Sequence, residues 1–370
     1  MKTLGNILLI ALCLFALSSC ATNTDDIKTI NELVLDVDRD DFTLVSEDGF
    51  FKSMEETVEP YLDTLRKEGV FYSNLDGHRI YFQTFIQPDS KGSVVILHGF
   101  SEFIEKYSEI IYYFSQQGYD VYMLEHFGHG FSERSISVGD NLSKVVIDEF
   151  EVYVEDVNQF VNEVVKPLHD DSKPLFLYGH SMGGGIATRH LEKYPNTFDA
   201  AVLSSPMIEV NLGFTPKWVA KFVSSSAKAF NAGDKYVFGH YDYTPEDLFT
   251  DPACPATSYN RYAYGLLKRY NDVYNQTYGA TWSWLNTSLK ATDKMVKKAE
   301  AEKVTIPVLL FQASDDSLVK NGGQLKFSSR APNVNLIKCP DTHHEIFNSP
   351  DPIARAYWIT IFDFFDSVRL

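Results

Sequence analysis

Short apolar runs alternate with helical segments over most of the chain. From residue 79 onwards the runs RIYFQTFI, SVVIL, DVYML, PLFLY, AAVL and PVLLFQ have strand length, and segments such as 108–116 and 147–165 have helical periodicity. Uninterrupted apolar runs indicate strands that are buried on both faces, which is typical of a parallel sheet covered by helices. The pattern predicts an α/β fold that ends with a strand over 333–338 and a helix over 352–368.

A helix is predicted before the first of these strands. Its apolar positions recur at helical spacing, at Met54, Val58, Tyr61, Leu62 and Leu65. Basic residues follow its acidic beginning, and Gly69 is the expected stop.

The strand rhythm breaks once, over residues 207–304, where aromatic residues are dense. A loop of this length without structure is rare in a compact domain. We therefore predict an inserted, mostly helical cap, with the core of the fold formed by 70–206 and 305–370. The rings are expected to pack the cap, and such a cap suits an acyl chain.

The N-terminus is expected to carry a targeting signal. The apolar run from Ile7 to Leu17 is too short to span a bilayer and fits a secretory signal. The sequence LSSC that ends at Cys20 resembles the lipobox of bacterial lipoproteins. This resemblance implies a signal peptide over 1–19, lipidation of Cys20 and attachment to the cell envelope, with Ala21 pointing to the outer membrane. The polar, acidic stretch to residue 48 is expected to be a solvated tether, so that 20–69 comprises this tether and the N-terminal helix.

Composition excludes several classes of protein. Of the 370 residues, 44% are hydrophobic and 22% are charged, which rules out wholesale disorder. A net charge of −17 argues against nucleic-acid binding. Four cysteines do not make a disulfide framework, although Cys254 and Cys339 could pair outside the cytoplasm.

The strongest chemical signal is Gly179-His180-Ser181-Met182-Gly183, which lies between a buried strand and a helical segment. This strand–turn–helix setting is typical of the nucleophile elbow of α/β-hydrolases. The Ser occupies a strained turn that exposes its hydroxyl, and small neighbours prevent clashes. Ser181 is therefore the candidate nucleophile.

A serine nucleophile needs a base and an orienting acid, which follow it in the chain in this fold. The acid belongs after a late strand, where Asp315 and Asp316 are both candidates. The base belongs in the loop after the last strand, where His343 and His344 compete.

An oxyanion hole needs two N–H donors. We expect one from Met182, directly after the nucleophile, and the other from Phe100, in the turn after SVVIL. His98 is expected to be structural. A metal role for His126 and His129 lacks a further ligand at a matching spacing.

The motifs HGFSE, EHFGHGFS, GHSMGGG, QASDDSLV and HHEIF resemble those of the monoacylglycerol lipase and lysophospholipase family of serine hydrolases. The cap phrase GATWSWLNTSL resembles the bacterial lysophospholipase branch, and the resemblance covers roughly Val70 to Leu370. It assigns the acid to Asp316 and the base to His344. Ala313 departs from the glycine that is frequent in the family.

The resemblance implies an α/β-hydrolase fold and hydrolysis of the carboxylic ester of a single-chain lipid, with no cofactor or metal. Two alternatives stay open. One is an esterase or thioesterase with another acyl substrate. The other is a catalytically silent relative that serves as a surface binding protein.

Overall fold

The computed structural model describes residues 30–245 and 254–369. The predicted signal peptide and Cys20 lie outside these ranges. The strands within them are β1 Asn31–Glu32, β2 Arg66–Tyr72, β3 Arg79–Phe85, β4 Gly92–Leu97, β5 Tyr119–Leu124, β6 Lys144–Val145, β7 Leu175–His180, β8 Ala200–Ser204, β9 Gly279–Ala280, β10 Val308–Ala313 and β11 Val334–Cys339.

Nine of the described strands form one sheet, in the order β1-β11-β10-β8-β7-β4-β5-β3-β2. Neighbouring strands run parallel except where β3 pairs with β5 and β2 pairs with β3. Successive residues of β4 point to opposite faces, so Val95 and Leu97 join one hydrophobic cluster and Val94 and Ile96 join the other. The predicted mostly parallel sheet, buried on both faces, is confirmed.

Helices cover both faces of this sheet. Those described are α1 Phe50–Ser53, α2 Glu59–Leu65, α3 Ser108–Gln116, α4 Glu151–Phe160, α5 Met182–Lys193, α6 Lys217–Ala229, α7 Tyr259–Asn271, α8 Trp282–Met295, α9 Lys298–Ala301, α10 Asn321–Arg330 and α11 Asp351–Arg369. A π-helical turn, Met54–Val58, joins α1 to α2, and a second π-helical turn, Val161–Val165, extends α4. Helices α4, α5 and α10 pack on one face, whereas α1, α2, α3 and α11 pack on the other.

The predicted stop of the first helix at Gly69 is wrong. The helix ends at Leu65, and Gly69 lies inside β2 at the edge of the sheet. A β-carbon at Gly69 would lie 2.3 Å from the Phe82 ring of the neighbouring strand, so this glycine provides close packing between strands. The run RKEGVFY has too few apolar positions to predict an edge strand.

The expectation of a solvated tether is wrong for its described part, because residues 30–48 pack against the body. Leu33, Phe42 and Leu44 are buried in the hydrophobic cluster beneath α11. Arg39 forms ion pairs with Asp363 and Asp366 of that helix. The sequence did not predict this packing, because these few apolar residues and Arg39 are scattered in a segment that is mostly acidic.

The segment predicted to form the cap lies between β8 and β10 and holds α6 to α9, in agreement with the expected helical character. A two-residue pairing of β9 with β6 ties this segment to a loop of the core. None of the helices in the described ranges has the length and apolar character needed to cross a bilayer.

Many cap rings point outwards, contrary to the expectation that they pack the cap. Helix α6 buries Ala220 and Ser224, and this turns Trp218 and Phe222 towards solvent, 73% and 68% exposed. Phe214, three residues before the start of this helix, is also fully exposed. Ring density along the sequence did not reveal which face of the helix the rings occupy.

Cys254 and Cys339 are both buried and are not joined in a disulfide. Burial raises the pKa of the Cys339 thiol, which keeps it protonated. The disulfide that the sequence left open is therefore absent between these two residues.

Candidate active site

Ser181 stands in a strained turn between β7 and α5. Its backbone has φ 53° and ψ −119°, a conformation that is costly for any residue other than glycine. The turn is held because the Ser181 N–H donates to the carbonyl of Ser204 at 3.0 Å. The Ser181 carbonyl accepts from the N–H groups of Gly185 and Met207. The predicted elbow geometry is confirmed.

The glycines around Ser181 are required by close backbone contacts. A β-carbon at Gly183 would lie 2.1 Å from the carbonyl oxygen of Leu97, and one at Gly179 would lie 2.8 Å from the carbonyl oxygen of Gly183. The carbonyl of Leu97 belongs to the neighbouring strand β4. The glycines of G-x-S-x-G thus let the start of α5 approach β4 closely.

A continuous hydrogen-bonded chain joins Ser181 to a histidine and a carboxylate. His344 Nε2 lies 2.7 Å from Ser181 Oγ, and His344 Nδ1 lies 2.7 Å from Asp316 Oδ2. The second oxygen of Asp316 accepts the N–H groups of Leu318 and Val319, each at 2.9 Å. With the carboxylate accepting from Nδ1, the lone pair of Nε2 faces the serine hydroxyl.

The environment of Asp316 favours the charged carboxylate. Its side chain is 1% exposed and that of His344 is 3% exposed. Burial alone would raise the pKa of Asp316. The proximity and hydrogen bond of His344, together with the N–H donors of Leu318 and Val319, outweigh burial and lower that pKa below its ordinary value.

The structure distinguishes between the neighbouring candidates that the sequence left open. Asp315 is exposed, and its carboxylate lies 3.3 Å from Ser314 Oγ in its own loop. The ring of His343 turns away, with Nδ1 2.8 Å from the carbonyl oxygen of Cys254 in the cap. Of these four candidates, only Asp316 and His344 belong to the series of hydrogen bonds that begins at Ser181.

The turn at 98–102 follows β4 and lies against Ser181. A β-carbon at Gly99 would lie 3.0 Å from the β-carbon of Ser181. No hydrogen bond within the described ranges uses the N–H of Phe100. The N–H of Met182, at the first position of α5, has no intrahelical acceptor. These are the two donors that the sequence nominated for an oxyanion.

His98 has a structural place, as predicted. Its Nδ1–H donates to the carbonyl of Gly99 at 2.8 Å, and its Nε2 accepts the N–H of His126 at 3.0 Å. Burial lowers the pKa of His98 to about 4, so the ring is neutral. Among the described residues, no group of three or more His, Cys, Asp or Glu side chains is placed to hold a metal ion.

Two features of the site were not predicted from the sequence. Trp284 of the cap stacks obliquely on the Phe100 ring, with centroids 4.3 Å apart, and its Nε1 lies 3.4 Å from Met182 Sδ. Behind the site, Lys106 is buried between Glu102 and Glu345. The WSWL sequence was the available signal for Trp284. Charged residues are ordinarily at the surface, so the sequence held no signal for the buried charges of Lys106, Glu102 and Glu345.

Comparisons with known proteins agree with this arrangement. The family model Hydrolase_4, described as serine aminopeptidase, S33, matches residues 88–351. A probable lysophospholipase L2 of Haemophilus influenzae is 28% identical over 279 residues, which are 75% of this chain and 85% of that protein. A monoacylglycerol lipase of Mycolicibacterium smegmatis is 25% identical over 285 residues, or 76% of this chain and 91% of the relative.

Solved structures show the same fold. A soluble variant of monoglyceride lipase from Saccharomyces cerevisiae, in complex with a substrate analog, superimposes with a TM-score of 0.65 at 19% identity. The match covers 82% of this chain and 96% of that protein. A carboxyl esterase from Bacillus coagulans also gives a TM-score of 0.65, at 19% identity over 83% of this chain and 99% of the esterase. The parallel sheet, the strained serine turn and the family match together show that the chain is an α/β-hydrolase of the Hydrolase_4 (serine aminopeptidase, S33) family and a carboxylic ester hydrolase.

Proposed function

We propose that this protein hydrolyses the carboxylic ester of single-chain lipids, a lysophospholipid or a monoacylglycerol, through an acyl-enzyme on Ser181. The observation that carries the proposal is the chain of 2.7 Å hydrogen bonds from Ser181 through His344 to Asp316. A half-buried hydroxyl at the head of this chain has the activation that a serine nucleophile requires.

The chemistry follows from this geometry. Ser181 Oγ attacks the ester carbonyl carbon while His344 Nε2 takes the hydroxyl proton. The alcohol leaves with that proton, and the acyl group remains on Ser181. Water then attacks the acyl-enzyme with His344 as base, which releases the fatty acid and restores the hydroxyl. Asp316 holds the imidazole in orientation and stabilises its positive charge during both steps.

The oxyanion that forms in each step needs donors that are already in place. We assign this role to the N–H groups of Phe100 and Met182. The assignment is supported by the contact of Gly99 with Ser181 and by the position of Met182 at the start of α5, where the positive end of the helix dipole favours an anion.

The lipid part of the proposal draws on two observations. The relatives at 25% to 28% identity are a lysophospholipase and a monoacylglycerol lipase. The half-buried Phe100 ring, backed by Trp284, also lies beside the serine turn, where it offers apolar surface to methylenes.

The substrate is tested by comparing kcat/KM for lysophospholipids, monoacylglycerols, short p-nitrophenyl esters and acyl thioesters. We expect the highest values with long single-chain lipid esters. Faster hydrolysis of a short ester or a thioester would replace the lipid substrate with one of those classes.

The nucleophile is tested with a fluorophosphonate, which labels activated serines. We expect labelling of the wild-type protein and none of Ser181→Ala, with an unchanged circular dichroism spectrum. Ser329→Ala, at a half-buried serine of α10 whose hydroxyl donates to the Lys326 carbonyl, is the matched control and should be labelled normally. A folded wild-type protein that takes no label would instead be a silent binding protein.

We further propose that Cys20 is lipidated and anchors the enzyme to the bacterial envelope, at the outer membrane. The LSSC sequence after the apolar run supports this. Cys20→Ser should abolish incorporation of labelled palmitate and release the protein from the membrane fraction, whereas Cys13→Ser should not. Membrane release by neither variant would refute the anchor.

A further inference from the structure

Three charged side chains are buried together behind the candidate site, and we call them the buried ion cluster. Lys106 Nζ lies 2.7 Å from Glu102 Oε1 and 2.6 Å from Glu345 Oε1. The three side chains are 5% to 7% exposed. Burial alone would lower the pKa of Lys106, but the two carboxylates raise it above its usual value, so the ammonium stays charged.

Glu102 fixes the turn that carries one proposed oxyanion donor. Its Oε2 accepts the N–H of Gly99 at 2.5 Å and the hydroxyl of Tyr107 at 2.6 Å. Gly99 directly precedes Phe100, so the carboxylate determines the orientation of the backbone just before the Phe100 N–H. With Oε2 occupied by these two donors, Oε1 is the oxygen that faces Lys106.

Glu345 fixes the loop that carries the proposed base. It follows His344 directly, and its Oε2 accepts from Asn348 Nδ2 at 2.6 Å. Its backbone N–H donates to the carbonyl of Pro255 in the cap at 2.7 Å. The residue after His344 is thus tied to the cap, to its own loop and, through Oε1, to Lys106.

The two loops that Lys106 connects arise from distant strands. The turn at 98–102 follows β4 and the His344 loop follows β11, and three strands lie between these two in the sheet. At about 4.8 Å between neighbouring strands, β4 and β11 lie roughly 19 Å apart. One ammonium therefore bridges loops that the sheet itself holds only at a distance.

Stability alone does not account for such a cluster. Removing charges from water costs several kcal/mol per ion, and apolar residues of similar volume are often as stable. Short hydrogen bonds to two rigid loops do, however, restrict the distance between them. A misplacement of about 1 Å in a catalytic site can cost 100-fold in rate.

We infer that Lys106 is a positioning residue, which through Glu102 and Glu345 sets the Phe100 N–H at its working distance from Ser181 and His344. The inference rests on the proposed function, because it assigns these groups their parts in ester hydrolysis. Lys106 itself touches neither the nucleophile nor the base. Its effect should therefore fall on the transition state and leave substrate binding largely unchanged.

The experiment compares Lys106→Met and Glu345→Gln with wild type in the full-length protein. Lys106→Met keeps an apolar stem and removes both ion pairs, and we expect kcat on the best ester of the substrate panel to fall 10- to 100-fold with KM within about threefold. Glu345→Gln is nearly isosteric and leaves the pair with Glu102, so the fall should be smaller, about 3- to 10-fold. Lys106→Arg restores a cation and should recover at least part of the loss.

The matched control is Arg189→Met. Arg189 is also a buried cation with several carboxylate partners, Glu151, Glu192 and Glu300, but it lies in the C-terminal half of α5, eight residues from Ser181. This variant should lose stability and keep the wild-type kcat.

The outcomes separate the two proposals. A wild-type protein without esterase activity or fluorophosphonate labelling would refute the proposed function. If wild type is active and Lys106→Met folds with kcat within twofold, the inference is wrong. It is also wrong if KM alone changes. Should Lys106→Met fail to fold, Glu345→Gln decides by the same criteria.

Discussion

The assignment of the acid to Asp316 rather than Asp315 can be tested by replacing one carboxylate oxygen of Asp316 with an amide NH2 group. Asp316→Asn keeps the size and shape of the side chain. Oδ1 of the wild-type carboxylate already accepts two backbone N–H groups, from Leu318 and Val319. An asparagine will keep its carbonyl oxygen there, because the reversed amide would leave both donors without their acceptor, and an unsatisfied buried N–H costs about 1–3 kcal/mol.

The amide NH2 group then faces His344. Nδ1 must accept this donor, so the proton of the neutral ring moves to Nε2. Nε2–H points at Ser181 Oγ, 2.7 Å away, and cannot take the serine proton. Loss of this orientation in a Ser-His-Asp site costs about 10^4 in kcat. At about 1.36 kcal/mol per tenfold, the barrier rises by about 5.4 kcal/mol.

The assay measures kcat with a saturating ester, next to thermal unfolding of the same samples. Asp315→Asn is the matched control, because that carboxylate is exposed and bonds only within its own loop in the described structure. We expect a 10^4-fold loss for Asp316→Asn and less than a twofold change for Asp315→Asn.

Two results would refute this reasoning. One is a folded Asp316→Asn protein that retains more than a tenth of the wild-type kcat. The other is a large loss in Asp315→Asn alone, which would show that the working loop differs from the structure described.

The remaining predictions concern stability. Gly183→Ala places a β-carbon 2.1 Å from the Leu97 carbonyl and should lower the free energy of unfolding by about 3 kcal/mol or more in urea titration; an unchanged midpoint would contradict the contact. Burial opposes protonation of His78, but Asp156, 2.8 Å away, helps to raise its pKa, so its stabilising effect is full below about pH 6.5 and disappears as pH rises through the folded-state pKa. His78→Gln should therefore destabilise more at pH 5.5 than at pH 9, and equal losses would exclude a charged His78. Arg39→Ala should cost about 1 kcal/mol and speed proteolysis within residues 30–48; wild-type resistance would mean that these ion pairs do not hold the segment.

Local pattern was enough to predict the strained serine turn between β7 and α5. The residues that make it, from the buried strand to the glycines beside Ser181, are consecutive in the chain. Their conformation depends mostly on residue size and on the strand and helix at either side. The positions of most strands in the sequence could also be predicted from local pattern, because a buried strand needs an apolar run wherever it lies in the sheet.

Other features depend on partners that are remote in sequence. The edge strand β2 exists because β3 pairs with it, and its own sequence contains Gly69 and few apolar positions. Leu33 and Phe42 are isolated in an acidic segment and find their core beneath α11. Lys106 and Glu345 look like surface charges until two loops enclose them.

The sequence by itself determined the class of fold, the candidate nucleophile and two short windows for the proposed acid and base. Tertiary structure decided within those windows. Adjacent residues such as Asp315 and Asp316 share nearly the same sequence environment, but the turn after β10 directs one carboxylate into the site and the other into solvent. Tertiary structure also placed the buried ion cluster, because a charge is stable inside a protein only where folding brings its partners to it.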